Sequence, residues 1–490
     1  MPSRVPHRFF GRVDLDTEDQ PAMVKRSVLS TASVGLQGIL RFLYSVLIGR
    51  WLGPAVLATT NGAIAVAQIA SLAYPIASGN AAVKFIARAR GRGDLELAWS
   101  SAAYLSRGAL IAAALVAAPT GVIVYTIVAS HSIPLAVTGG LLAFTLSAYS
   151  FVRGVYFSAG LVSRVAGWDV ITLVVGLGLL LVFLALGWTE LVLLPLAVGY
   201  GLYAIAGWPR RPKGRGRTPL PHALRHEMNA FILWGSLSAL ATSGFIQLTM
   251  VIANWVGTGD EAGWYAAALS IATPASLLSS VLSLVLFPTM AHASGRDDDG
   301  SMVRQADLST RGLVFALGAV FGVLAILAEP LLSIVYGPGF TEGATDLRIL
   351  LAASLAVTLS AGTVTLLQAG GRSSVRLASL LSAGGVALGL IAMTALVPFA
   401  STTGVALGYL VGALVSGFGP ILVVWRRYGM PWLWLWIRFA AGVACAALII
   451  VAAEAFDWPL LGILVASVAY VAVWAALMTP EIRMLTSMRN

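Results

Sequence analysis

The sequence predicts an all-α, polytopic membrane protein of about fourteen transmembrane helices, arranged as two six-helix lobes plus an extra C-terminal pair. Most of the chain is divided into apolar stretches of about 18–25 residues, the length that spans the hydrocarbon core of a bilayer. Hydrophobic residues make up 58% of the 490 residues and charged residues only 11%, a balance unlike that of a soluble domain. In lipid, such a stretch satisfies its own backbone hydrogen bonds as a helix.

The predicted spans follow one another from Val28 to Met478 with short connections. Pro75 and Pro274 lie inside the second and eighth spans, and because proline removes a backbone donor we expect each to kink its helix. Gly318-x-x-x-Gly322 predicts a face on which helix backbones approach closely. The predicted spans are residues 28–49, 55–78, 97–126, 133–155, 166–187, 190–207, 228–255, 264–291, 311–336, 345–369, 374–398, 402–425, 433–453 and 458–478.

The net charge of +10 is a topology signal and does not predict a nucleic-acid partner. Lysine and arginine concentrate in the N-terminal tail and in the even-numbered loops, most densely at residues 210–217. The odd-numbered loops carry mainly acids, such as Glu190, Asp260 and Glu329. By the positive-inside rule both termini lie in the cytoplasm, which requires an even number of spans. We therefore expect a multi-pass protein of the cell membrane.

The chain contains an internal repeat. Trp51-Leu52-Gly53 ends the first span and Trp255-Val256-Gly257 ends the seventh, and residues 85–94 match residues 287–297. An even number of spans separates the copies, so the halves share one orientation and a symmetry axis along the membrane normal, as in several transporters. The predicted domains are a cytoplasmic tail (1–27), a first lobe (28–208), a basic linker (209–227), a second lobe (228–425) and an additional helix pair with the C-terminal tail (426–490).

The patterns of metal, nucleotide and enzymatic chemistry are missing from the sequence. No histidine pair is backed by cysteine or carboxylates at metal-ligand spacing. The Lys-Gly-Arg-Gly-Arg segment at residues 213–217 follows no predicted strand, as a phosphate loop would. The loops on the predicted outer side are too short for a catalytic domain. We expect no cofactor, no metal and no enzymatic activity.

Arginines inside the predicted spans are the candidate substrate-binding residues. Arg41 lies near the middle of the first span, Arg107 within the third and Arg348 near the outer end of the tenth. A buried arginine at mid-bilayer costs at least about 2.5–3.5 kcal/mol on insertion scales, so we expect it to face a polar cavity or a partner. Since almost no carboxylate accompanies these arginines, they predict a cationic cavity for an anionic group such as pyrophosphate. The alternative, favoured for Arg348, is that each side chain extends to the nearest interface.

Amide side chains at membrane depth complete the predicted site. Gln37, Asn61 and Gln247 lie on the first, second and seventh spans. A buried amide in lipid needs a hydrogen-bonding partner, so such residues mark packed polar contacts or a wet cavity.

Four motifs together resemble those of a known family. Residues 49–54 (Gly-Arg-Trp-Leu-Gly-Pro) resemble the Arg-x-Leu-Gly-Pro signature of O-antigen and exopolysaccharide flippases of the multidrug/oligosaccharidyl-lipid/polysaccharide exporter superfamily. Gly-Trp-Tyr at 263–265, Leu-Phe-Pro at 286–288 and the Pro-Leu-Leu to Gly-Phe segment at 330–340 follow in the family's order. The resemblance implies two six-helix lobes around a central cavity. It also implies alternating access, which carries a polyprenyl-pyrophosphate-linked oligosaccharide from the inner to the outer leaflet.

The resemblance leaves alternative functions open. The implied partners are a lipid-linked glycan, membrane lipids and glycan-assembly enzymes. A lipid II flippase shares the fourteen-span plan and an arginine-lined cavity. A multidrug antiporter of the same superfamily would need a deep acidic residue for cationic drugs, whereas the first span carries Arg41. A glycan polymerase or ligase would need a sizeable outer loop.

Overall fold

The computed structural model describes residue 15 and residues 23–128, 131–211, 219–274, 299–369, 372–481 and 483. This part of the chain is helical and contains no strand, which confirms the predicted all-α class. The helices are α1 (Met23–Ala73), α2 (Pro75–Gly91), α3 (Leu95–Ile123), α4 (Ile133–Ser158), α5 (Val162–Ala185), α6 (Leu194–Gly207), α7 (His222–Ala239), α8 (Phe245–Val256), α9 (261–274), α10 (Asp299–Ile326), α11 (Ala328–Val335), α12 (Ala344–Leu359), α13 (Ala361–Ala369), α14 (Arg372–Tyr428), α15 (Leu433–Ala455) and α16 (Leu460–Leu477).

Two of these helices are each a pair of membrane spans. Among the described residues, 11 stretches are long and apolar enough to cross a bilayer, but two of them have 42 and 56 residues. As single helices these would be about 63 and 84 Å long, against a hydrocarbon core of about 30 Å. The backbone leaves the helical conformation inside them, at Gly53 in α1 (φ 81°) and at Ser401 in α14 (φ 44°). Divided there, and with α9 opening the predicted eighth span, the chain fits the predicted fourteen spans.

The second span bends at Pro75, as predicted. Tyr74 has non-helical angles (φ −145°, ψ −47°), and Pro75 begins α2. The helical path then continues to Gly91, well past the predicted span end at residue 78, because α2 keeps a buried stripe that includes Phe85 and Ala89 at helical spacing. For the predicted kink at Pro274, the residues that follow lie outside the described part.

Contacts divide the chain into two compact units. Unit 1 comprises Met1–Leu52 and Thr59–Trp255, and unit 2 comprises Gly53–Ala58 and Val256–Asn490. Unit 1 therefore extends beyond residue 208, the predicted end of the first lobe. The reason is that α7 packs against α2: the ring centroids of Phe85 and Phe231 lie 5.8 Å apart.

In unit 1, α4 packs closely against α2 because glycines face each other. A Cβ added to Gly154 would lie 2.3 Å from the carbonyl oxygen of Gly79, so no other residue fits at that position without moving a backbone. The two helices approach at the distance that small residues permit in membranes.

In unit 2, the glycine face predicted on α10 receives two aromatic side chains of α16. A Cβ on Gly318 would lie 2.0 Å from the Trp474 ring, and one on Gly322 would lie 2.2 Å from the Tyr470 hydroxyl. The Tyr470 hydroxyl donates to the Gly318 carbonyl oxygen at 3.0 Å, and the Trp474 indole N–H donates to the carbonyl oxygen of Phe315 at 2.8 Å. Because Gly318 and Gly322 have no side chains, the aromatic residues of α16 can pack directly against the backbone of α10.

A cluster of charged residues further joins the C-terminal helices to unit 2. Arg438 of α15 donates to both carboxylate oxygens of Glu481 at 2.9 Å, and Arg311 of α10 lies 3.7 Å from Glu481. Arg311 also pairs with Asp307, one turn earlier, at 2.9 Å. Glu481 is buried, with 3% of its side chain exposed. The pair predicted as an addition to the second lobe is packed into this unit through apolar and charged contacts.

Several predicted features lie outside the described residues. They are most of the tail before Met23, the middle of the basic linker, the second repeat match at 287–297 and the Leu-Phe-Pro motif at 286–288.

Candidate functional site

The turn at Gly53 divides α1 into a first arm (residues 23–52) and a second arm (residues 54–73), and the turn at Ser401 divides α14 into arms at residues 372–400 and 402–428. The first arm of α1 carries a line of polar side chains. Gln37, Arg41 and Ser45 are four residues apart, so they share one face of the helix. Arg41 stands about 18 Å along the helix from the Gly53 turn, which is near the middle of a hydrocarbon core about 30 Å thick. The mid-membrane position of this arginine stays a prediction.

Arg41 has an amide partner and no acidic one. Its Nη1 donates to Oε1 of Gln68, on the second arm of α1, at 2.9 Å. The side chain is half-buried, and no carboxylate lies within ion-pair distance of it among the residues that the structure describes. An arginine has five N–H donors, so most of its donors are left for another acceptor.

Of the other predicted amides, Asn61 has a hydrogen bond to another side chain, and Gln37 and Gln247 have none among the residues that the structure describes. Asn61 donates from Nδ2 to Oγ of Ser45 at 3.0 Å, across the same hairpin as Arg41 and Gln68. Nε2 of Gln37 is buried without a hydrogen-bond partner in the described structure. Gln247 is half-buried on α8 and follows a π-helical turn at Leu240–Gly244, a distortion that is frequent at functional sites. The hairpin thus groups Gln37, Arg41 and Asn61. The helix that carries Gln247 packs against the second arm of this hairpin, because a Cβ on Gly62 would lie 2.5 Å from Nδ2 of Asn254.

Arg107 is exposed on α3, and no hydrogen bond or ion pair joins it to another described residue. Its neighbour Gly108 lies beside Tyr74, because a Cβ on Gly108 would lie 2.4 Å from the Tyr74 hydroxyl oxygen. Arg107 is therefore level with the end of the second arm of α1 and not with Arg41. No contact in the structure joins the two arginines.

Arg348 belongs to unit 2 and is already paired. Its Nη1 contacts Oε1 of Glu454 in an ion pair, and its Nε donates to the carbonyl oxygen of Ala325 at 3.2 Å. Only 18% of its side chain is exposed. An anion at this position would compete with Glu454 for the Arg348 guanidinium. Arg41 has no such competing carboxylate among the described residues.

The neighbouring Asp346 has a separate role. Its Oδ1 accepts from Oγ1 of Thr403 at 2.7 Å, directly after the Ser401 turn of α14. The carboxylate therefore fixes the start of the second arm of α14 and does not contact Arg348 in the described structure.

A buried ionic network in unit 1 was missed by the sequence analysis. Asp169 lies within the fifth span, with 2% of its side chain exposed and Oδ2 at 3.8 Å from Nε of Arg153. Its Oδ1 accepts from the Tyr149 hydroxyl at 2.8 Å, and its Oδ2 accepts from the Ser33 hydroxyl. Arg153 in turn donates to Ser33 at 2.8 Å. Asp169 therefore gives this lobe a buried carboxylate near the start of the predicted fifth span.

The signal for this network was present in the sequence but weak. Asp169 is the one acid inside an otherwise apolar helix, α5, and intramembrane acids mark functional or paired positions. Arg153 lies near the end of the fourth predicted span, residues 133–155, where an arginine is common at the cytoplasmic interface. Only the packing of α1, α4 and α5 brings the four side chains of Ser33, Tyr149, Arg153 and Asp169 together.

Three of the four family-like motifs, those at residues 49–54, 263–265 and 330–340, meet at one place in unit 2. A Cβ on Gly263 would lie 2.2 Å from the carbonyl oxygen of Pro54. Next to it, the Trp264 indole N–H donates to the carbonyl oxygen of Gly339 at 2.8 Å. Gly53 turns the chain with a positive φ, which glycine adopts without strain, and Pro54 suits the first position of the next helix. These motif residues build a turn and its packing surface, which is a structural role.

Comparison with known proteins places this geometry in a family. Residues 94–344 match the sequence model of a family described as "Polysaccharide biosynthesis protein". No curated protein sequence matches the chain.

Solved structures share the fold at low sequence identity. A multidrug resistance MATE family transporter of the MOP superfamily, in an inward-facing conformation, is similar with a TM-score of 0.66 and 16% identity over 80% of this chain and 94% of that one. Lipid II flippase MurJ, in an inward closed conformation, gives 0.60 and 12% over 94% and 99%. A MOP superfamily transporter from Pyrococcus furiosus Vc1 (DSM3638) gives 0.59 and 17% over 84% and 96%, and its binding pocket is described as having a reverse polarity that suggests a different function.

Proposed function

We propose that this chain, which belongs to the polysaccharide biosynthesis protein family, translocates a polyprenyl-pyrophosphate-linked oligosaccharide from the inner to the outer leaflet. The lobes would alternate access to a cationic cavity, and the lipid tail would stay in the bilayer. Both termini would lie in the cytoplasm of a cell-membrane protein, as the charge asymmetry of the loops indicates. The partners would be the lipid-linked glycan, membrane lipids and the enzymes that assemble the glycan.

The observation that carries this proposal is the uncompensated charge of Arg41. Its guanidinium is half-buried at mid-membrane depth and bonds only the neutral Gln68 in the described structure. A charge in this position is expensive unless an anion or water accompanies it. A pyrophosphate group supplies the anion in the geometry that the planar guanidinium fork prefers.

Other arginines of the described part show what a structural role looks like. Arg153, Arg311, Arg348 and Arg438 each have a carboxylate within ion-pair distance. Their charges are compensated inside the protein by these carboxylates, so none of them is an uncompensated charge of the kind that Arg41 presents. Arg41 and Arg107 lack such a partner among the described residues, and this difference supports their assignment to substrate.

A multidrug antiporter with cationic cargo is the first alternative. It would require a deep carboxylate that is open to the cargo, and Asp169 is the buried carboxylate that the structure describes in the spans of unit 1. That group already accepts from Ser33 and Tyr149 and faces Arg153, so it offers little to a cation. The reversed pocket polarity named for the Pyrococcus furiosus transporter indicates that this fold can accommodate a different cargo.

A lipid II flippase is the second alternative, because MurJ shares the fold along almost the whole chain. Its cargo presents the same pyrophosphate chemistry to Arg41. The family match favours the polysaccharide pathway, and the glycan bound to the lipid separates the two functions.

The test measures transport by Arg41 variants in cells that lack the chromosomal copy. Arg41→Ala and Arg41→Gln should lower export of the surface glycan about tenfold or more, equivalent to about 1.4 kcal/mol, and lipid-linked intermediates should accumulate in the inner leaflet. Arg41→Lys should retain part of the activity, because a charge remains without the bidentate fork.

Two controls separate transport from folding. The amount of each variant in the membrane is measured alongside transport. Gln68→Ala removes the neighbouring acceptor and leaves the charge, so it should keep most of the activity. Full export by Arg41→Gln at a normal membrane level would refute the role of the arginine, and rescue of a lipid II flippase defect would favour the second alternative.

A further inference from the structure

Two cavities of opposite character meet at Arg348 in unit 2. A polar cavity of about 490 Å³ lies between α11, the start of α12 and the turn that joins α15 to α16. An apolar cavity of about 960 Å³ lies between α10, α12, the second arm of α14, and α15. Arg348 lines both of them. Each volume is in the range of small-molecule sites in proteins.

The polar cavity is acidic despite the arginine. Glu329, Glu454 and Asp457 line it together with Arg348 and Trp458, so three carboxylates face one guanidinium. Glu454 pairs with Arg348, and 54% of its side chain is exposed. A ligand with only negative charge would be repelled here, whereas an ammonium group would be attracted by the acids and by the indole ring.

The apolar cavity has the shape of a groove along α15. Its lining on that helix runs from Trp436 to Ile450, about 21 Å at the rise of an α-helix. The facing wall includes Leu351, Leu355 and Phe418. This length exceeds the roughly 15 Å half-thickness of a hydrocarbon core, so the groove accommodates an extended hydrocarbon chain.

Arg348 stands where the chemistry changes from polar to apolar. Its Nε donates to the Ala325 carbonyl oxygen and its Nη1 contacts Glu454, which leaves part of its five-donor fork without a bond in the described structure. A phosphate ester at this junction would accept from those donors. The phosphate would then separate a hydrocarbon chain on one side from an ammonium group on the other.

We propose that this pair of cavities binds a phospholipid whose headgroup carries one phosphate and one ammonium. The hydrocarbon chain of the lipid occupies the apolar groove, and its phosphate contacts Arg348. Its ammonium group lies among Glu329, Asp457 and Trp458. The positive-inside rule assigns this end of unit 2 to the outer side of the membrane, so the lipid comes from the outer leaflet. The site is separate from the Arg41 hairpin, and its acidic half disfavours a pyrophosphate cargo.

The experiment uses the full-length protein, purified in detergent and stripped of lipid, with native mass spectrometry as the readout. Phosphatidylethanolamine and phosphatidylglycerol with identical chains are the probes, because both carry the phosphate and only the first carries the ammonium. One phosphatidylethanolamine should be retained with about tenfold preference, as expected for one charge-assisted contact. Equal or stronger retention of phosphatidylglycerol would overturn the proposal.

Variants test each half of the site. Glu329→Gln combined with Asp457→Asn should abolish the preference between the two lipids; asparagine suits the positive φ of residue 457 (45°), a conformation that it tolerates. Ala447→Trp fills the groove and should abolish retention of both lipids. The matched control is Glu342→Gln, which removes an exposed acid that lines neither cavity.

Each further outcome decides the question. If the double variant does not fold, the Ala447→Trp variant still tests the proposal. Full retention of phosphatidylethanolamine by the Ala447→Trp variant would refute binding in the groove. If the parent protein retains neither lipid but is stabilised by a soluble oligosaccharide, the polar cavity binds a sugar. This result also overturns the proposal. Transport by the Arg41 variants is independent of these results.

Discussion

Gly263 lies directly on the carbonyl group of Pro54, so that a Cβ at residue 263 would stand 2.2 Å from the Pro54 oxygen. The contact joins two motifs that are more than two hundred positions apart in the sequence. Trp264 extends it through its bond to the Gly339 carbonyl oxygen. Motifs that mark the family in the sequence therefore form one packed structure around the turn of α1.

The contact between Gly263 and Pro54 predicts that Gly263→Ala destabilises the protein. The added methyl group must displace backbone atoms, and overpacking of this kind typically costs about 1–3 kcal/mol. The apparent unfolding temperature in detergent should fall accordingly. Gly339→Ala is the matched control, because a Cβ there meets no atom within 4 Å. Equal unfolding temperatures for the two variants would contradict this packing.

The ionic network predicts a strong effect of Asp169→Asn. The substitution leaves Arg153, with 18% of its side chain exposed, without its carboxylate, and breaking a buried pair typically costs about 3–5 kcal/mol. We expect a lower unfolding temperature and less protein in the membrane. The double variant Arg153→Leu with Asp169→Leu should regain much of the loss, because it removes both charges. A single variant as stable as the parent would mean that the pair is not a structural element.

The hydrogen bonds that the Glu261 carboxylate accepts lead us to expect that the stability of the protein depends on pH. The Ser401 hydroxyl donates to its carboxylate at 2.6 Å and the Thr258 backbone N–H at 3.0 Å, and these bonds hold the pKa of Glu261 below its usual range. A lowered pKa stabilises the folded state above the unfolded-state value, which is about 4.3, and this stabilisation is lost as the pH falls through the folded-state pKa.

The measurement compares unfolding temperatures of the parent and Glu261→Gln between neutral pH and pH about 3. The parent should be the more stable protein at neutral pH, and the difference should shrink on acidification as the Glu261 carboxylate takes up a proton. Because Glu261 is only partly buried, solvent screening keeps the effect small. A difference that is constant across the range would exclude the titration of Glu261 as its cause.

The fold class was predictable because it depends on local composition. The length of each apolar stretch sets the number of spans, and the Gly53-Pro54 pair identifies the turn inside α1 from backbone chemistry alone. The Gly318-x-x-x-Gly322 face was recognised as a packing surface for the same reason. Its partners, Tyr470 and Trp474, were not predictable, since nothing local in α10 specifies which helix fills the space.

The electrostatic partners were the least predictable part of the site. Arg348 pairs with Glu454, which lies on α15, and Asp169 pairs with Arg153 across two helices. Such contacts arise from tertiary packing, so they cannot be predicted from the spacing of residues in the sequence. The internal repeat led to the prediction that residues 228–255 belong to the second lobe. In the structure they belong to unit 1, where Phe231 packs against Phe85. This contact depends on the surfaces of two helices, which the repeat does not specify.

The hairpin of α1 has a consequence for biosynthesis. Arg41 and its acceptor Gln68 occupy opposite arms of one helical hairpin, so the guanidinium can enter the lipid together with a hydrogen-bonding companion before any later segment has left the ribosome. Inserting the two arms as a unit reduces the penalty of placing a cation in hydrocarbon. The membrane-insertion machinery would thus receive a pre-paired element, and the charge that later serves the cargo would be tolerated from the first step of assembly.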